Sequence, residues 1–272
     1  MKSTYLSIKF AFMSKYLYLW STMFLAMIMF VAIGSCKSFP QNSSKSVPVS
    51  HDLWTQLLQK HVSPTGNVNY KGFIEEKETL DQYLQLLQAN HPNNNNWSKA
   101  EQLAYWLNAY NAFTVALIVE NYPVKSIKDI TKGPNIPFVN SPWDIKFINI
   151  EGTVYDLNNI EHSILRKKFN EPRIHFAINC ASKSCPNLFP EAFTSDKLEK
   201  QLTTLARSFL ADTSKNIIQT DKVQLSKIFS WFKGDFTPKS KTLIEFLNQY
   251  APVDIQEDAE ISFLDYDWQL NE

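Results

Sequence analysis

The stretch SKAEQLAYWLNAYNAFTVALIVEN, residues Ser98–Asn121, predicts the central helix of the protein. Ser98 and Glu101 have the spacing of a capping box, in which the hydroxyl and the carboxylate bind free amides of the first turn. Apolar side chains occur on nearly every side of this helix, so we expect it to be buried. Tyr122-Pro123 follows and should end it.

Sequence patterns on both sides of this helix predict further helices and a few short strands. The helical segments predicted from apolar periodicity are 51–61, 75–87, 124–130, 158–169, 195–210, 226–232 and 241–250. Residues 146–157 and 217–225 read as β-hairpins, the first turning at Glu151-Gly152. Residues 173–180 are mostly apolar, which favours a strand buried on both faces. The predicted fold is α+β, a helix-rich single domain around a small, mainly antiparallel sheet.

The first 36 residues have the pattern of a secretory signal. Lys2, Lys9 and Lys15 precede an uncharged apolar run that ends in Ile33-Gly34-Ser35-Cys36. This ending resembles a lipobox, so Cys36 is the expected lipidation site. The alternative is an uncleaved transmembrane anchor, because about 20 apolar residues can also span a bilayer. Both predict a chain tethered to the membrane outside the cytoplasm, in the cell envelope at a periplasmic or outer-membrane face.

The composition after Cys36 is that of an ordinary globular domain. Residues 37–50 are polar and proline-spaced, as in a linker, and residues 51–272 are long enough for one domain with a good core. Three of the 27 Lys and Arg residues precede Cys36, whereas all 27 Asp and Glu residues follow it. This slight acidic excess argues against nucleic-acid binding. Glycine is too scarce for a phosphate-binding loop, and no cofactor is indicated.

Two asparagines of the central helix are the first candidates for a site. Asn108 and Asn111 are three residues apart and therefore share a face of a helix that is otherwise apolar. Buried amides need hydrogen-bond partners. Either they orient a catalytic imidazole or an oxyanion, or they tie the helix to a neighbouring loop.

The segment NNIEHSILR, residues 158–166, is the second candidate. Asn158 and Glu161 fit a capping box, which alone would explain the acid. His162 and Arg166 are four residues apart, so a general base beside an anion-binding arginine is one interpretation. A histidine without a catalytic role is the other.

The segment RIHFAINCASKSCP, residues 173–186, holds two thiols. Cys180 follows the predicted strand, where a rigid element can present a nucleophile to a cleft. On a strand, His175 would face away from Cys180, so the base would come from elsewhere, most plausibly His162. A Cys180–Cys185 disulfide or plain packing are the alternatives. A redox pair is less favoured because the spacing is not Cys-x-x-Cys, and the spacing matches no usual zinc site.

Five blocks of the chain resemble, in order, the domain-of-unknown-function 547 family of bacteria and plants. They are YWLNAYNAFT, YDLNNIEHSILR, PRIHFAINCASKSCPNL, SKIFSWFKGDF and YDWQLN, within residues 97–271. The resemblance implies a fold and a secreted or lipid-anchored context, but no activity. The typical motif positions are Glu161, His162 and Cys180. Serine replaces the second cysteine, here Cys185, in many plant members, which argues against an obligatory disulfide and favours a catalytic Cys180.

Two functional hypotheses of different classes remain. The first is an envelope-anchored thiol-dependent hydrolase or acyl transferase for an unknown small-molecule or peptide substrate, in which Cys180 attacks a carbonyl and His162 carries the proton. Glu161, Asn108 or Asn111 would orient the imidazole. Arg166 or Arg173 would hold an acidic group of the substrate. The second is a non-catalytic envelope binding or scaffold module with a Cys180–Cys185 disulfide. They differ in whether these side chains meet in one cleft.

Overall fold

The computed structural model describes residues 44–131, 141–238 and 242–272. The predicted signal sequence, the lipidation site at Cys36 and the first part of the predicted linker lie outside these residues. The α-helices in chain order are α1 (Asp52–His61), α2 (Tyr70–Glu75), α3 (Lys77–Gln88), α4 (Lys99–Asn121), α5 (Arg166–Lys168), α6 (Ile174–Ala177), α7 (Leu198–Ala211), α8 (Ile228–Trp231), α9 (Lys233–Phe236) and α10 (Leu243–Leu247). A π-helix (Asn159–Leu165) continues into α5, and two short 3-10 helices (Ile127–Asp129 and Pro142–Asp144) lie between α4 and β1. The strands are β1 (Ile148–Ile150), β2 (Thr153–Tyr155), β3 (Ile217–Ile218), β4 (Lys222–Leu225) and β5 (Glu260–Phe263).

Helix α4 is the centre of the body, as predicted. The Ser98 hydroxyl accepts from the Glu101 amide at 3.2 Å, and the Glu101 carboxylate accepts from the Ser98 amide at 2.6 Å, which completes the capping box. Every residue from Gln102 to Val119 is buried. Helices α2 and α3 and the π-helix pack against it. No helix among the described residues is both long and apolar enough to cross a bilayer.

The strands form two small sheets. β1 and β2 make an antiparallel hairpin, and its turn has positive φ at Glu151 (46°) and Gly152 (79°), as the predicted Glu151-Gly152 turn requires. β3 pairs antiparallel with β4, and β4 pairs parallel with β5. Both predicted hairpins are confirmed, and the helix-rich α+β fold class is confirmed with two small sheets where one was expected.

The strand predicted for residues 173–180 is wrong. Ile174–Ala177 form one helical turn, α6, which opens with hydrogen bonds from Ile174 N to Glu171 O and from His175 N to Pro172 O. All four residues of α6 are buried, so the segment has no exposed face from which a period could be read. A short, fully buried apolar run does not distinguish helix from strand.

The capping box predicted for Asn158 and Glu161 is also wrong. Asn158 makes no cap hydrogen bond. Asp156 and Asn159 cap the turn reciprocally, since the Asn159 amide donates to Asp156 Oδ1 at 2.5 Å and the Asp156 amide donates to Asn159 Oδ1 at 3.3 Å. The cap therefore lies two residues earlier, and Glu161 has no capping role.

The described end of the predicted linker lies against the body. The Ser46 hydroxyl donates to His91 O at 2.6 Å, and the Trp97 indole N–H lies 3.1 Å from the Ser46 carbonyl oxygen. Ser44 donates to the Glu151 carboxylate at 2.9 Å. From Ser44 onwards this segment is therefore held by specific hydrogen bonds.

Candidate active site

A cavity of about 170 Å³ lies between the π-helix, the loop after α6, helix α8 and the C-terminal segment. Glu161 and His162 from one predicted segment and Cys180 from another all line it. The other lining residues are Tyr110, Trp143, Asn158, His175, Ile178, Cys185, Pro186, Ile228, Trp231, Phe232, Tyr266 and Trp268. The predicted convergence of acid, imidazole and thiol is therefore present.

The loop that carries Cys180 is held rigidly by Asn179. The Asn179 side chain donates to Pro186 O at 2.7 Å and accepts from the Ala181 amide at 2.8 Å. Its own backbone amide donates to Asn111 Oδ1 of helix α4 at 2.8 Å. Ala181 has φ of +60°, a left-handed conformation that turns the chain sharply after Cys180. These contacts fix Cys180 relative to the central helix.

The C-terminal segment straps this loop from the other side. Ser182 and Leu270 form an isolated antiparallel bridge. The Lys183 amide donates to Gln269 O at 2.8 Å, and the Asp267 amide donates to the Ser184 hydroxyl at 2.8 Å. This strap brings Tyr266 to the cavity.

Two hydroxyl groups lie within hydrogen-bond distance of the Cys180 sulfur. Its Sγ lies 3.2 Å from Ser182 Oγ and 3.3 Å from Tyr266 Oη. Hydrogen bonding from the Cys185 thiol, with smaller effects from Ser182 and Tyr266, outweighs burial and lowers the pKa of Cys180 to about 7. A partly exposed thiol that ionises near neutral pH is a competent nucleophile.

Cys185 remains a buried, neutral thiol beside it. Both cysteines are free in the structure. The Cys180 amide donates to Cys185 Sγ at 2.8 Å, and the Cys185 residue is 4% exposed. Burial, together with the neighbouring Cys180 sulfur, raises the pKa of Cys185 well above the ordinary value. Ionisation is thus concentrated on Cys180.

Glu161 is a buried acid that faces the same cavity. It is 7% exposed, and its Oε2 accepts a hydrogen bond from the Tyr110 hydroxyl at 3.3 Å. Burial and, to a lesser extent, the negative charge of Cys180 raise the pKa of Glu161 to about 7, although Arg166 opposes the shift. It projects from a π-helix, a geometry often found at functional sites. A carboxyl with this pKa can both take and return a proton near neutrality.

His162 is oriented by a charged network behind it. Arg166 Nη1 lies 3.1 Å from His162 Nδ1, and the same guanidinium binds Asp235 through two hydrogen bonds of 2.5 and 3.0 Å. Because a guanidinium only donates, Nδ1 of His162 accepts. Burial, followed by the charge of Arg166, lowers the pKa of His162. At neutral pH the imidazole is therefore uncharged and carries its proton on Nε2.

His175 completes this network from helix α6. Its Nε2 lies 2.7 Å from Asp235 Oδ2, and its ring stacks on Phe232 with centroids 4.1 Å apart. Burial lowers the pKa of His175, so the neutral ring donates its Nε2 proton to Asp235. Hydrogen bonds from His175 and Arg166 hold the pKa of Asp235 well below its usual range, although burial opposes this effect.

Aromatic rings form the outer wall of the cavity. Trp231 contacts Tyr266 and Trp268 with centroid separations of 4.8 and 5.9 Å, and Trp143 contacts Trp268 at 5.7 Å. Trp231 is 47% exposed. Trp143, Trp231 and Phe232 all line the cavity.

The two asparagines predicted from α4 lie outside the cavity lining. Asn108 donates to Phe193 O at 2.8 Å and accepts from the Phe193 amide at 2.9 Å. Asn111 donates to Ala177 O at 2.9 Å and accepts from the Asn179 amide. Both amides are occupied in tying α4 to neighbouring loops, and Asn111 supports the loop of Cys180.

The two predicted substrate-binding arginines are also engaged elsewhere. Arg173 binds the carboxylates of Glu171 and Glu199 at 2.6 Å, away from the cavity. Arg166 is paired with Asp235 and reaches the cavity only through His162. Neither guanidinium lines the cavity to meet an acidic substrate group.

Sequence reasoning assigned no chemistry to several residues of this site. Asp235 and Phe232 lie in the block SKIFSWFKGDF, and Tyr266 lies in YDWQLN. Both blocks belong to the five that resemble the family, and this resemblance is the sequence signal that points to these residues. Among the residues the structure describes, no three His, Cys, Asp or Glu side chains are grouped to hold a metal ion.

Comparison with known proteins extends only to a family description. No curated protein and no solved structure matches the chain significantly. Residues 94–210 match the family model described as "Protein of unknown function, DUF547". The matched range includes α4, the π-helix and both thiols, whereas Trp231, Asp235 and Tyr266 lie beyond it. The family resemblance is therefore confirmed for residues 94–210, which carry the DUF547 pattern.

Proposed function

We propose that the protein is a thiol-dependent hydrolase or acyl transferase with Cys180 as its nucleophile. The observation that carries this proposal is the placement of a thiol and an acid in one cavity, each with its pKa moved to about 7. Perturbed titratable groups that meet in a cleft favour a catalytic site. Packing alone gives no reason for a buried acid beside an ionised thiol.

The first half-reaction forms an acyl thioester. The Cys180 thiolate attacks the carbonyl carbon, and the bond from that carbon to the leaving group breaks. Neutral His162, with its proton on Nε2, donates a hydrogen bond to the developing oxyanion, because Arg166 occupies its Nδ1, and protonated Glu161 gives its proton to the leaving atom. This reverses the expected role of His162, which was that of a base.

The second half-reaction releases the acyl group. Ionised Glu161 takes a proton from water or from another acceptor nucleophile, which attacks the thioester and frees the Cys180 thiolate. Glu161 then returns that proton to solvent or to the next leaving group. The Tyr110 hydroxyl, at 3.3 Å, holds the carboxylate during this exchange.

The charges of the cavity favour a neutral or cationic substrate. Glu161 and Cys180 carry negative charge, whereas no Lys or Arg from the described part of the chain lines the cavity. The aromatic wall suits an apolar, sugar or substituted-ammonium group beside the carbonyl. A substrate with a carboxylate or phosphate next to the reacting carbon should react poorly.

A non-catalytic binding module is the second candidate. The half-exposed Trp231 and the neighbouring aromatic rings would serve ligand binding without chemistry. Its expected Cys180–Cys185 disulfide is not present in the structure, which describes both thiols as free.

Acyl-enzyme trapping separates these candidates. The purified domain is mixed with p-nitrophenyl acetate and with neutral thioesters, and the intact mass is recorded over time. We expect a transient acyl adduct that is absent in Cys180→Ser and persists in Glu161→Gln, which cannot activate water. Ligand binding without any adduct would support the binding module.

We further propose that the chain is an envelope lipoprotein anchored through Cys36. Support comes from the apolar run and the Ile33-Gly34-Ser35-Cys36 ending. Metabolic labelling with a palmitate analogue, in a bacterial host that processes lipoproteins, tests this assignment. Label on the wild type but not on Cys36→Ala is the expected result, and equal labelling would contradict it.

A further inference from the structure

The two thiols at the floor of the cavity differ sharply in access. Cys180 is partly exposed, whereas Cys185 is 4% exposed. A small oxidant that enters the cavity therefore meets Cys180 first. Thiolate character and exposure together select which cysteine is oxidised.

The chain also holds the second thiol within reach of the first. The sharp turn at Ala181, with φ of +60°, brings residue 185 back so that its Sγ accepts from the Cys180 amide at 2.8 Å. The Cys185 amide donates to Ser182 O at 3.1 Å, which closes the turn. A sulfur at this position can attack a modified Cys180 without unfolding of the loop.

We propose that Cys180 is a reversible oxidation site and that Cys185 is its resolving thiol. Hydrogen peroxide or another hydroperoxide is the oxidant class. This inference goes beyond acyl transfer and rests on the access to the two sulfurs and on their geometry.

The chemistry takes place in two steps. The Cys180 thiolate attacks one peroxide oxygen, the O–O bond breaks, and hydroxide leaves as the sulfur becomes a sulfenic acid. Cys185 then attacks the Cys180 sulfur, the S–O bond breaks, and the departing hydroxyl takes the Cys185 proton to form water. An external dithiol reduces the resulting disulfide to two thiols.

Oxidation of Cys180 changes the surroundings of Cys185 in a way that favours the second step. The Cys180 sulfur contributes to the raised pKa of Cys185, after burial. Conversion of the thiolate to a neutral sulfenic acid removes that negative charge. Cys185 therefore stays protonated and unreactive while Cys180 is reduced. Once Cys180 is oxidised, Cys185 ionises more readily and can react.

The test uses hydrogen peroxide and dimedone, a reagent that traps sulfenic acids. Wild type, Cys185→Ser and Cys180→Ser are oxidised at neutral pH and mapped by tandem mass spectrometry. In wild type we expect a Cys180–Cys185 disulfide, little dimedone adduct, and full return of both thiols with dithiothreitol. Cys185→Ser should accumulate dimedone on Cys180, and Cys180→Ser should remain unmodified.

Three results would overturn the inference: dimedone adducts on wild-type Cys180 at the level of the Cys185→Ser variant, over-oxidation of Cys180 at the same rate in both, or no oxidation of Cys180 at all. Oxidised wild-type Cys180 that carries dimedone and forms no disulfide with Cys185 decides against the inference even where a variant folds poorly. No acyl substrate is used, so failure here leaves the proposed acyl transfer untouched, and failure of acyl transfer leaves this inference untouched.

Discussion

Buried polar groups have a full set of hydrogen bonds in the central helix, whereas the buried acid of the neighbouring cavity does not. In α4, each amide oxygen and nitrogen of Asn108 and Asn111 is matched by a backbone partner within 3.0 Å. In the cavity, Glu161 Oε2 accepts one hydroxyl hydrogen bond at 3.3 Å, and the charge of Arg166 only partly offsets the effect of burial on this acid. The first arrangement is typical of groups that stabilise a fold, and the second of groups that are kept reactive.

Among the polar groups, the largest effect on stability should come from removing the Asn111 amide. Asn111→Ala leaves the Ala177 carbonyl and the Asn179 amide unpaired, each at a cost of about 1–3 kcal/mol, so the free energy of unfolding should fall by about 4 kcal/mol. Urea denaturation measures this loss. The control is Thr114→Val, because the Thr114 hydroxyl bonds only within its own helix, to Tyr110 O. Equal losses in both variants would contradict the role assigned to Asn111.

Removal of the cavity acid, Glu161, should instead raise the free energy of unfolding. The pKa of Glu161 is raised to about 7 in the folded protein from 4.5, so its ionisation destabilises the fold as pH rises through this window. At pH 8, Glu161→Gln should therefore be more stable than wild type by about 3 kcal/mol, with little difference at pH 4. Thermal unfolding from pH 4 to 8 measures the difference.

The matched control for Glu161 is the exposed Glu257. Glu257→Gln should change stability by less than about 0.5 kcal/mol at any pH. A Glu161→Gln variant that is less stable than wild type at pH 8 would show that Glu161 stabilises the fold. That result would contradict the difference drawn between the cavity and helix α4.

The third effect is a change in the pKa of His162. Arg166→Met removes a positive charge that lowers the pKa of His162, so His162 should titrate at higher pH than in wild type. NMR titration of the imidazole carbon-bound proton follows this change. Lys167→Met removes an exposed positive charge from the next residue and should move the His162 titration less. Equal shifts would mean that the contact between Arg166 and His162 does not orient the ring.

The smallest effect on stability should come from the cavity rim. Trp231 is 47% exposed, so Trp231→Ala should lower the free energy of unfolding by less than about 1 kcal/mol. Phe229 in the same short helix is fully buried, and Phe229→Ala should cost about 3–5 kcal/mol. Chemical denaturation compares the two. A loss at Trp231 as large as at Phe229 would make the rim part of the core.

Much of the fold was predictable because local signals agree with one another. The capping box at Ser98 and the Glu151-Gly152 turn each depend on a few adjacent residues, and the structure confirms both. The segment 173–180 failed because burial on all sides hides the period that separates helix from strand. The cap before Glu161 was misplaced by two residues because Asp156 and Asn158 both offer suitable side chains.

The site was predictable only in part, for a physical reason. Reactive residue types mark Glu161, His162 and Cys180 in a sequence. Their modulators Asp235 and Tyr266 act through tertiary contacts 69 and 86 residues away from Arg166 and Cys180, respectively. Nothing in local spacing predicts such contacts. Arg166 and Arg173 had the right chemistry for an anion site, but their acidic partners occupy them.

The pH dependence of Cys180 alkylation tests the central claim most directly. Iodoacetamide labelling of the reduced domain is followed at Cys180 by mass spectrometry between pH 5 and 10, with Cys180→Ser as the blank. The predicted result is a rate that rises with a midpoint near pH 7, since neighbouring donors lower the pKa of Cys180 to about 7. A midpoint at the ordinary thiol value of about 8.5, or no labelling of Cys180 at any pH, would contradict the account.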